Sequence, residues 1–186
     1  MMKKIVWEMQ YISAPPVVRY CRKCRDKKAF ICSGQFRINA QRKLLDIWLI
    51  YKCSDCDATW NAAIYSRIFP GALKPELLDA FYKNDRTLAE QFAMNSDFLR
   101  KNGAEIGQPR YSVMGENFLV NEAIMLEIKS KYSFNIKISS IIREKRHLSQ
   151  KDYLGLIRDG KIKSIPEMDL CRCRIKKGVT RILFRV

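Results

Sequence analysis

The chain has 186 residues, enough for one large domain or two small ones with a hydrophobic core. Hydrophobic residues make up 47% and charged residues 29%, a balance that excludes global disorder, whereas the formal net charge of +16 is unusually high. Because so much like charge repels itself in a compact protein, it indicates a polyanionic partner, with nucleic acid ahead of an anionic membrane surface.

The charge is unevenly distributed along the chain. Residues 1–65 carry 12 Lys and Arg against 5 Asp and Glu, residues 66–128 carry 7 against 9, and residues 129–186 carry 16 against 5. Two basic ends around a slightly acidic middle favour two binding modules joined by a spacer.

The sequence indicates a cytoplasmic protein that does not cross a membrane. The start, "MMKKIVWEMQYI", is basic, but Glu8 and Gln10 interrupt its apolar run too early for a signal peptide. No apolar stretch reaches the roughly 18 residues of a membrane span. The seven cysteines are an odd number, and their paired spacing suits metal binding better than a secreted disulfide framework.

Two CxxC pairs form the strongest motif. "RYCRKCRDK" contains Cys21 and Cys24, and "YKCSDCDATWN" contains Cys53 and Cys56. One CxxC turn can place two sulfurs on one ion, so two turns supply the four thiolates of a tetrahedral zinc site. Between the pairs, "AFICSGQFRIN" and "LLDIWLIYK" are typical of strands joined by a turn at 39–43, and "TWNAAIY" supplies a third strand. The sequence therefore predicts an antiparallel zinc ribbon with a structural zinc ion.

The surroundings of the pairs leave one question open. A thioredoxin-type redox site would need a CxxC at the start of a helix in a βαβ unit, and neither pair has that context. Four thiolates on Zn²⁺ carry a charge of about −2. Nearby cations can either offset this charge or contact phosphate, and the sequence favours neither: they are Arg19, Arg22, Lys23, Arg25, Lys27 and Lys28.

The other three cysteines are interpreted as core residues. Cys32 lies inside a predicted strand. Cys171 and Cys173 alternate around Arg172, so they would point to the same face of a strand. A second metal site formed by this pair and His147 stays an alternative, but a buried pair is favoured.

The middle of the chain predicts helices that serve as packing elements. "KPELLDAFYKN" has Pro75 near its start, where proline suits a helix. "TLAEQFAMNSDFLRKNG" predicts a longer helix with a capping box formed by Thr87 and Glu90 and a stop at Gly103.

The basic final third predicts two helices joined by a short turn. In "NIKISSIIREKRHLSQKDYLGLIRDGKIKS", Ser149 caps the second helix with Asp152 three residues on, and Gly160 ends it. The first helix should bury Ile138, Ile141 and Ile142, and the second Leu154 and Ile157. "KIK" begins a strand, and "LCRCRIKKG" with "VTRILFRV" predicts a closing hairpin.

This order of elements resembles the small S-four-like RNA-binding module. The resemblance lies in "LSQKDYLGLIRDGKI" and covers about residues 134–186. It implies that Ser149, Lys151, Gly160 and Lys161 lie against RNA, although Gln150 stands where the family usually has arginine. Helix-turn-helix is the nearest structural alternative. With the flanking cations, the predicted RNA-binding residues are Arg143, Lys145, Arg146, Ser149, Lys151, Gly160, Lys161 and Lys163.

The chain as a whole resembles a bacterial domain-of-unknown-function family. Its members combine two CxxC pairs, a "WLIYKCxxCxxTWN" stretch and a basic C-terminal end, and residues 48–61 carry that stretch here. The resemblance implies the architecture and a bacterial cytoplasmic origin but no activity.

The sequence gives no reason to expect an enzyme. It has no Gly-rich phosphate loop and no GxSxG motif, and its single histidine, His147, lies in a basic cluster. Asp55 and Asp57 flank a cysteine of the predicted metal turn rather than a cleft.

We therefore expect a non-catalytic, zinc-containing protein that binds structured RNA, ribosomal or transfer RNA included, through phosphate contacts of the C-terminal module. The alternative is a zinc-ribbon protein–protein adaptor or transcription-associated factor. Duplex DNA is less favoured, because the second C-terminal helix offers only Gln150 and Arg158 for reading bases.

The expected fold class is α+β, in three consecutive parts. A zinc-ribbon domain spans 1–66, a helical connecting region 67–110, and a basic module of helix-turn-helix plus hairpin 111–186. The sequence leaves the oligomeric state open.

Overall fold

The computed structural model describes residues 2–119 and 122–185, which form ten β-strands and five α-helices in a mixed α+β arrangement. The chain divides into two compact units. Ala14–Pro109 is the inserted unit, and Met1–Ser13 with Arg110–Val186 is the split unit.

These units differ from the three consecutive parts that the sequence predicts. The first strand, β1 (Lys3–Tyr11), pairs with strands from the last third of the chain, which places it in the split unit. The predicted helical region 67–110 belongs with the cysteine hairpins instead of separating two domains, because its aromatic residues pack on their sheet. The rings of Phe36 and Phe81, for example, meet edge to face with centroids 4.9 Å apart.

The inserted unit is built on a five-stranded antiparallel sheet with the strand order β5–β4–β3–β2–β6. The three strands predicted around the second cysteine pair are confirmed, with a turn between Gln41 and Leu44. The strands are β2 (Val17–Cys21), β3 (Asp26–Gln41), β4 (Leu44–Cys53), β5 (Thr59–Ile68) and β6 (Glu105–Ile106).

Three helices pack against this sheet: α1 (Pro75–Tyr82), α2 (Arg86–Ala93) and α3 (Ser96–Lys101). A bulge between Cys32 and Phe36 interrupts the pairing of β3 with β4. The Phe36 N–H donates there to Asn84 Oδ1 at 2.6 Å, from the loop after α1. The helical segment therefore supplies a hydrogen bond that the bulge removes from the strand ladder.

The prediction for the middle helices is partly wrong. Pro75 does begin α1, and Gly103 does follow α3 in a left-handed conformation. The single longer helix, however, is two helices, because Asn95 Oδ1 accepts from the Phe98 N–H at 3.0 Å and starts α3. The capping box of Thr87 and Glu90 does not form, since Asp85 occupies the N-cap and accepts from the Leu88 N–H at 2.7 Å.

The split unit holds a second five-stranded sheet, with the order β7–β1–β8–β10–β9. β1 and β8 run parallel, and the other neighbours run antiparallel. Alternate side chains such as Trp7, Leu126 and Phe184 are fully buried, as expected for a sheet with one face in a core. The remaining strands are β7 (Tyr111–Met114), β8 (Ile124–Ser130), β9 (Ile162–Ile165) and β10 (Gly178–Phe184).

The two C-terminal helices are confirmed as α4 (Ile138–Arg146) and α5 (Gln150–Arg158). The three predicted isoleucines of α4 are buried, and Ser149 and Asp152 form the predicted capping box. The inward position assigned to Leu154 is wrong, because Tyr153 fills the core at 1% exposure while Leu154 is 43% exposed. The next residue of a helix lies about 100° further round, so the two cannot both face inward.

The predicted closing hairpin is also wrong. The Asp169 side chain accepts from the Cys171 N–H at 2.9 Å, and its carbonyl accepts from the Cys173 N–H at 2.8 Å, so the chain turns there. Among the described residues the only strand-like pairing of this segment is an isolated bridge between Lys137 and Arg174. β10 pairs with β8 and β9 instead, and the two cysteines lie half-buried in a turn rather than on one face of a strand.

Candidate metal centre

Two hairpin turns of the inserted unit bring the four predicted cysteine ligands together. Cys21 and Cys24 lie at the turn from β2 to β3, and Cys53 and Cys56 at the turn from β4 to β5. Because β3 and β4 pair antiparallel with Phe30 opposite Cys53, both turns lie at the same end of the sheet.

The two turns share one backbone geometry. The Arg25 N–H donates to the Cys21 carbonyl at 2.7 Å, and the Asp57 N–H donates to the Cys53 carbonyl at 3.1 Å. Arg25 and Asp57, each directly after the second cysteine of its pair, both have φ of 58°. The sequence did not reveal these left-handed positions, because glycine, the usual residue there, is replaced by arginine and aspartate.

The distances between the sulfurs fit a four-thiolate metal site. The Sγ atoms of Cys21 and Cys56 are 3.5 Å apart, and those of Cys24 and Cys53 are 3.9 Å apart. All four sulfurs lie within 4.8 Å of one another, and all four cysteines are free thiols. Tetrahedral zinc with bonds of about 2.3 Å separates its sulfurs by about 3.8 Å, whereas a disulfide needs about 2.05 Å. The cluster is therefore compatible with a metal ion.

Close packing of the thiols opposes their joint ionisation. The Cys24 N–H lowers the pKa of Cys21 to about 7, whereas the neighbouring Cys56 raises the pKa of Cys24. Four thiolates so close together repel each other, and a bound cation would remove that repulsion. Metal binding by this cluster would accordingly release protons and weaken at acid pH.

Two of the surrounding cations, Lys23 and Lys28, connect the two turns. Lys28 Nζ lies 2.9 Å from Asp55 Oδ2, and this pairing lowers the pKa of Asp55 and raises that of Lys28. Lys23 Nζ donates to the Cys56 carbonyl at 3.3 Å, which joins the first turn to the second. For both lysines the structure favours a local role over a phosphate contact.

The Arg19 side chain also makes its contacts inside the inserted unit. Its guanidinium stacks 4.3 Å above the Trp60 ring centroid and donates to the carbonyls of Asn102 and Gly103 at the end of α3. Among the described residues, Arg22 and Arg25 are exposed and have no acidic partner within salt-bridge distance.

Within the described part of the chain, the four-cysteine cluster is the only group of three or more potential ligands with metal-binding spacing. His147 caps α4 with φ of 52° and is exposed. The alternative site formed by His147, Cys171 and Cys173 is therefore not assembled.

Three of the predicted RNA-binding cations pack within the split unit. Lys145 Nζ donates to the Val113 carbonyl at 2.9 Å and lies 5.6 Å from the Trp7 ring centroid. The Arg146 guanidinium lies 4.7 Å from the Phe118 ring centroid. Arg143 is half-buried. The contacts of Lys145 and Arg146 engage their aliphatic stems and charges inside the split unit.

The other predicted RNA-binding residues lie around the start and end of α5. Lys151 and Lys161 line an open groove of about 380 Å³ together with Arg158, Asp152 and Asp159, and Lys163 is exposed on β9. Gly160 ends α5 with φ of 69°. The Ser149 hydroxyl is already engaged with Asp152 in the capping box.

The fold and site define a class of α+β protein in which two hairpin turns carry a cluster of four thiols. The family model described as "Protein of unknown function (DUF1062)" matches residues 38–168, more than half of the chain, and the chain belongs to this family. The match includes the second cysteine pair and all five α-helices. No curated protein and no solved structure matches the chain. The resemblance to the S-four-like module accordingly stays a prediction from the sequence.

None of the helices in residues 2–119 and 122–185 is both long enough and apolar enough to span a bilayer.

Proposed function

We propose that the protein is a non-catalytic, zinc-containing RNA-binding protein of the bacterial cytoplasm. In this proposal a zinc ribbon in the inserted unit maintains the fold, and the basic surface around α5 and β9 contacts RNA phosphates. The RNA part is carried by one observation: Lys151, Lys161 and Lys163 are exposed on the described surface without an acidic partner within salt-bridge distance.

The choice of zinc rests on the chemistry of the ligands. A cluster of four sulfurs with tetrahedral spacing suits zinc or iron among the biological metals. All four positions would be filled by protein, which is typical of a structural site rather than a catalytic one. A reducing cytoplasm would keep the four thiols available for the ion.

The choice of RNA rests on charge. The split unit has 19 Lys and Arg against 9 Asp and Glu, so it carries most of the excess charge of the chain. Proteins recognise A-form RNA largely through its shape and backbone, and exposed lysines beside a groove suit such contacts. Counterions released from the phosphates would make this binding steeply dependent on salt.

We test the proposal by measuring binding of the zinc-loaded protein to an RNA hairpin and to duplex DNA of the same sequence across a salt series. The double variant K151E/K161E should reduce RNA affinity at least tenfold and flatten the salt dependence. R42E/K43E, which makes the same total change of charge in the exposed β3–β4 turn, is the control and should have a small effect. Equal losses in the two variants, or weak binding to both nucleic acids that disappears at physiological salt, would contradict the proposal.

A second candidate, a protein–protein adaptor, is favoured by one feature of the inserted unit. Tyr20 and Ile31 are 61% and 50% exposed, and the strand register places them on the same face of the sheet, on either side of the Val18–Ala29 pair. If RNA binding fails the salt test, Y20S/I31S provides the next variant for capture of a protein partner.

A further inference from the structure

A small pocket of about 130 Å³ lies in the split unit at the start of α4, beside α5 and the turn at Cys171. Two cations, Lys137 and Arg143, line it together with Ser139 and Ser140, and no carboxylate of the described residues does. The pocket shares no lining residue with the groove of Lys151 and Lys161. It is therefore separate from the surface to which RNA binding is assigned above.

The start of α4 offers a free backbone donor in this pocket. Lys137 occupies the N-cap and its side chain makes no capping hydrogen bond. The Ile138 N–H donates to the Cys173 carbonyl, and the Ser140 N–H to the Lys137 carbonyl. Within the described residues the Ser139 N–H has no acceptor. Free amides at the start of a nine-residue helix attract anions through both their N–H groups and the helix dipole.

Two side chains that line the pocket, Ser139 and Arg143, have hydrogen-bond donors without an acceptor in the described part of the chain. Ser139 is only 9% exposed, and its hydroxyl has no hydrogen-bond partner among the described residues. Arg143 has a buried Nε–H that is likewise without an acceptor in the described part of the chain. The Ser139 hydroxyl lines the pocket, so a ligand that accepts hydrogen bonds would supply the partner that it lacks within the described residues.

We propose that this pocket binds a phosphate group, as inorganic phosphate or as the end of a phosphate monoester. An oxyanion matches the pocket in charge and supplies several acceptors to the serine hydroxyls, the free amide and the arginine. With a volume of about 130 Å³, the pocket has room for a phosphate group. Leu154, exposed at the rim, would contact the organic part of a monoester.

Two cysteines of the chain provide a test with an internal control. Cys171 lines the pocket, whereas Cys173, two residues on, does not. Both thiols of the zinc-loaded full chain are alkylated in phosphate and in chloride at equal ionic strength, and each rate is followed by mass spectrometry. Phosphate should slow alkylation of Cys171 about elevenfold at ten times its dissociation constant and leave Cys173 unchanged. Equal slowing of both cysteines, or equal slowing in chloride, would overturn the proposal.

Variants assign the protection to the pocket. K137Q and S139A should each weaken phosphate protection about tenfold, because each removes a hydrogen bond to a charged group. K161Q, in the separate groove, should leave it unchanged. Unaltered alkylation of Cys173 without phosphate shows that each variant is folded. Full protection in the double variant K137Q/S139A would contradict the assignment.

The source of the phosphate is distinguished by probes. A nucleoside 5′-monophosphate that protects Cys171 at lower concentration than inorganic phosphate identifies a monoester, and the nucleoside without phosphate should give no protection. An RNA oligonucleotide with a 5′-phosphate is compared with one bearing a 5′-hydroxyl in the same way. Protection by inorganic phosphate alone identifies a free anion, and protection by none of these probes refutes the proposal.

Discussion

The left-handed residue after each cysteine pair shows how single residues shape the candidate metal centre. Both turns need this conformation for the chain to reverse, and neither uses glycine. We predict that R25G stabilises the metal-loaded protein by about 1 kcal/mol, because a non-glycine residue pays a steric cost of that order in this region. R22G, in the same turn, is the control, and urea unfolding measures both. A less stable R25G than R22G would show that the Arg25 side chain makes a needed contact.

A buried carboxylate gives the split unit a dependence on pH. Glu127 is 7% exposed, with Lys4 Nζ and Arg181 Nε each 3.0 Å from its oxygens, and the hydrogen bonds from Lys4 and then Arg181 lower its pKa. The stabilisation from these pairs is therefore fully present above the unfolded pKa of about 4.3. This stabilisation is lost as the pH falls through the lowered pKa of Glu127 in the folded protein.

E127Q should accordingly be less stable than the wild type at pH 7, and the difference should shrink as the solution is acidified below about pH 4. Urea unfolding over this pH range measures the effect, with E167Q as an exposed control. A difference that does not change with pH would mean that Glu127 contributes through packing rather than charge.

At the scale of elements, the Asn102 side chain connects the end of α3 to β5. Asn102 Oδ1 accepts from the Ala63 N–H at 2.7 Å, and its Nδ2 donates to the carbonyls of Ala63 and Phe98 at 3.1 and 3.0 Å. Asn102 thus pairs with β5 much as another strand would. We predict that N102A lowers the free energy of unfolding by about 2 kcal/mol, since it leaves a half-buried backbone group unpaired.

N61A is the matched control for N102A. Asn61 lies on β5, the strand that Asn102 contacts. Its side chain makes no hydrogen bond within the described residues. Equal losses in the two variants would show that the connection of α3 to β5 does not depend on the hydrogen bonds of Asn102.

Sequence patterns predicted elements where the signal was local. The alternating strands, the start of α1 at Pro75 and the capping box at Ser149 depend on residues within a few positions of each other. The break before α3 was missed because Asn95 interrupts an apolar pattern that continues across it. Leu154 was misplaced because Tyr153 and Leu154 are both apolar, and only the core determines which of them is buried.

At the scale of the whole molecule, pairing between distant strands was not predictable from local patterns. β1 lies beside β8, which follows it in the chain by more than 110 residues. The alternation of apolar and polar residues in either strand does not identify its partner. The meeting of the two cysteine pairs was predictable, because a tetrahedral metal site requires four ligands and therefore specifies which residues come together. Charge patterning located the basic third, but only packing showed that Lys145 and Arg146 are used within it.

The metal should determine the stability of the inserted unit as a whole. C53S/C56S should lose bound metal and unfold at a markedly lower temperature, since metal binding supplies folding free energy directly. C32S is the control, because Cys32 lies in the same unit outside the cluster, and should keep its metal. A double variant that retains both metal and melting temperature would contradict a structural role for the site.

The most direct test of the central claim is X-ray absorption at the zinc edge, combined with metal analysis of the purified protein. Our account predicts one zinc ion per chain with four sulfur ligands at about 2.3 Å. A first shell containing nitrogen or oxygen, or a metal-free protein in which the four cysteines have formed disulfides, would contradict it.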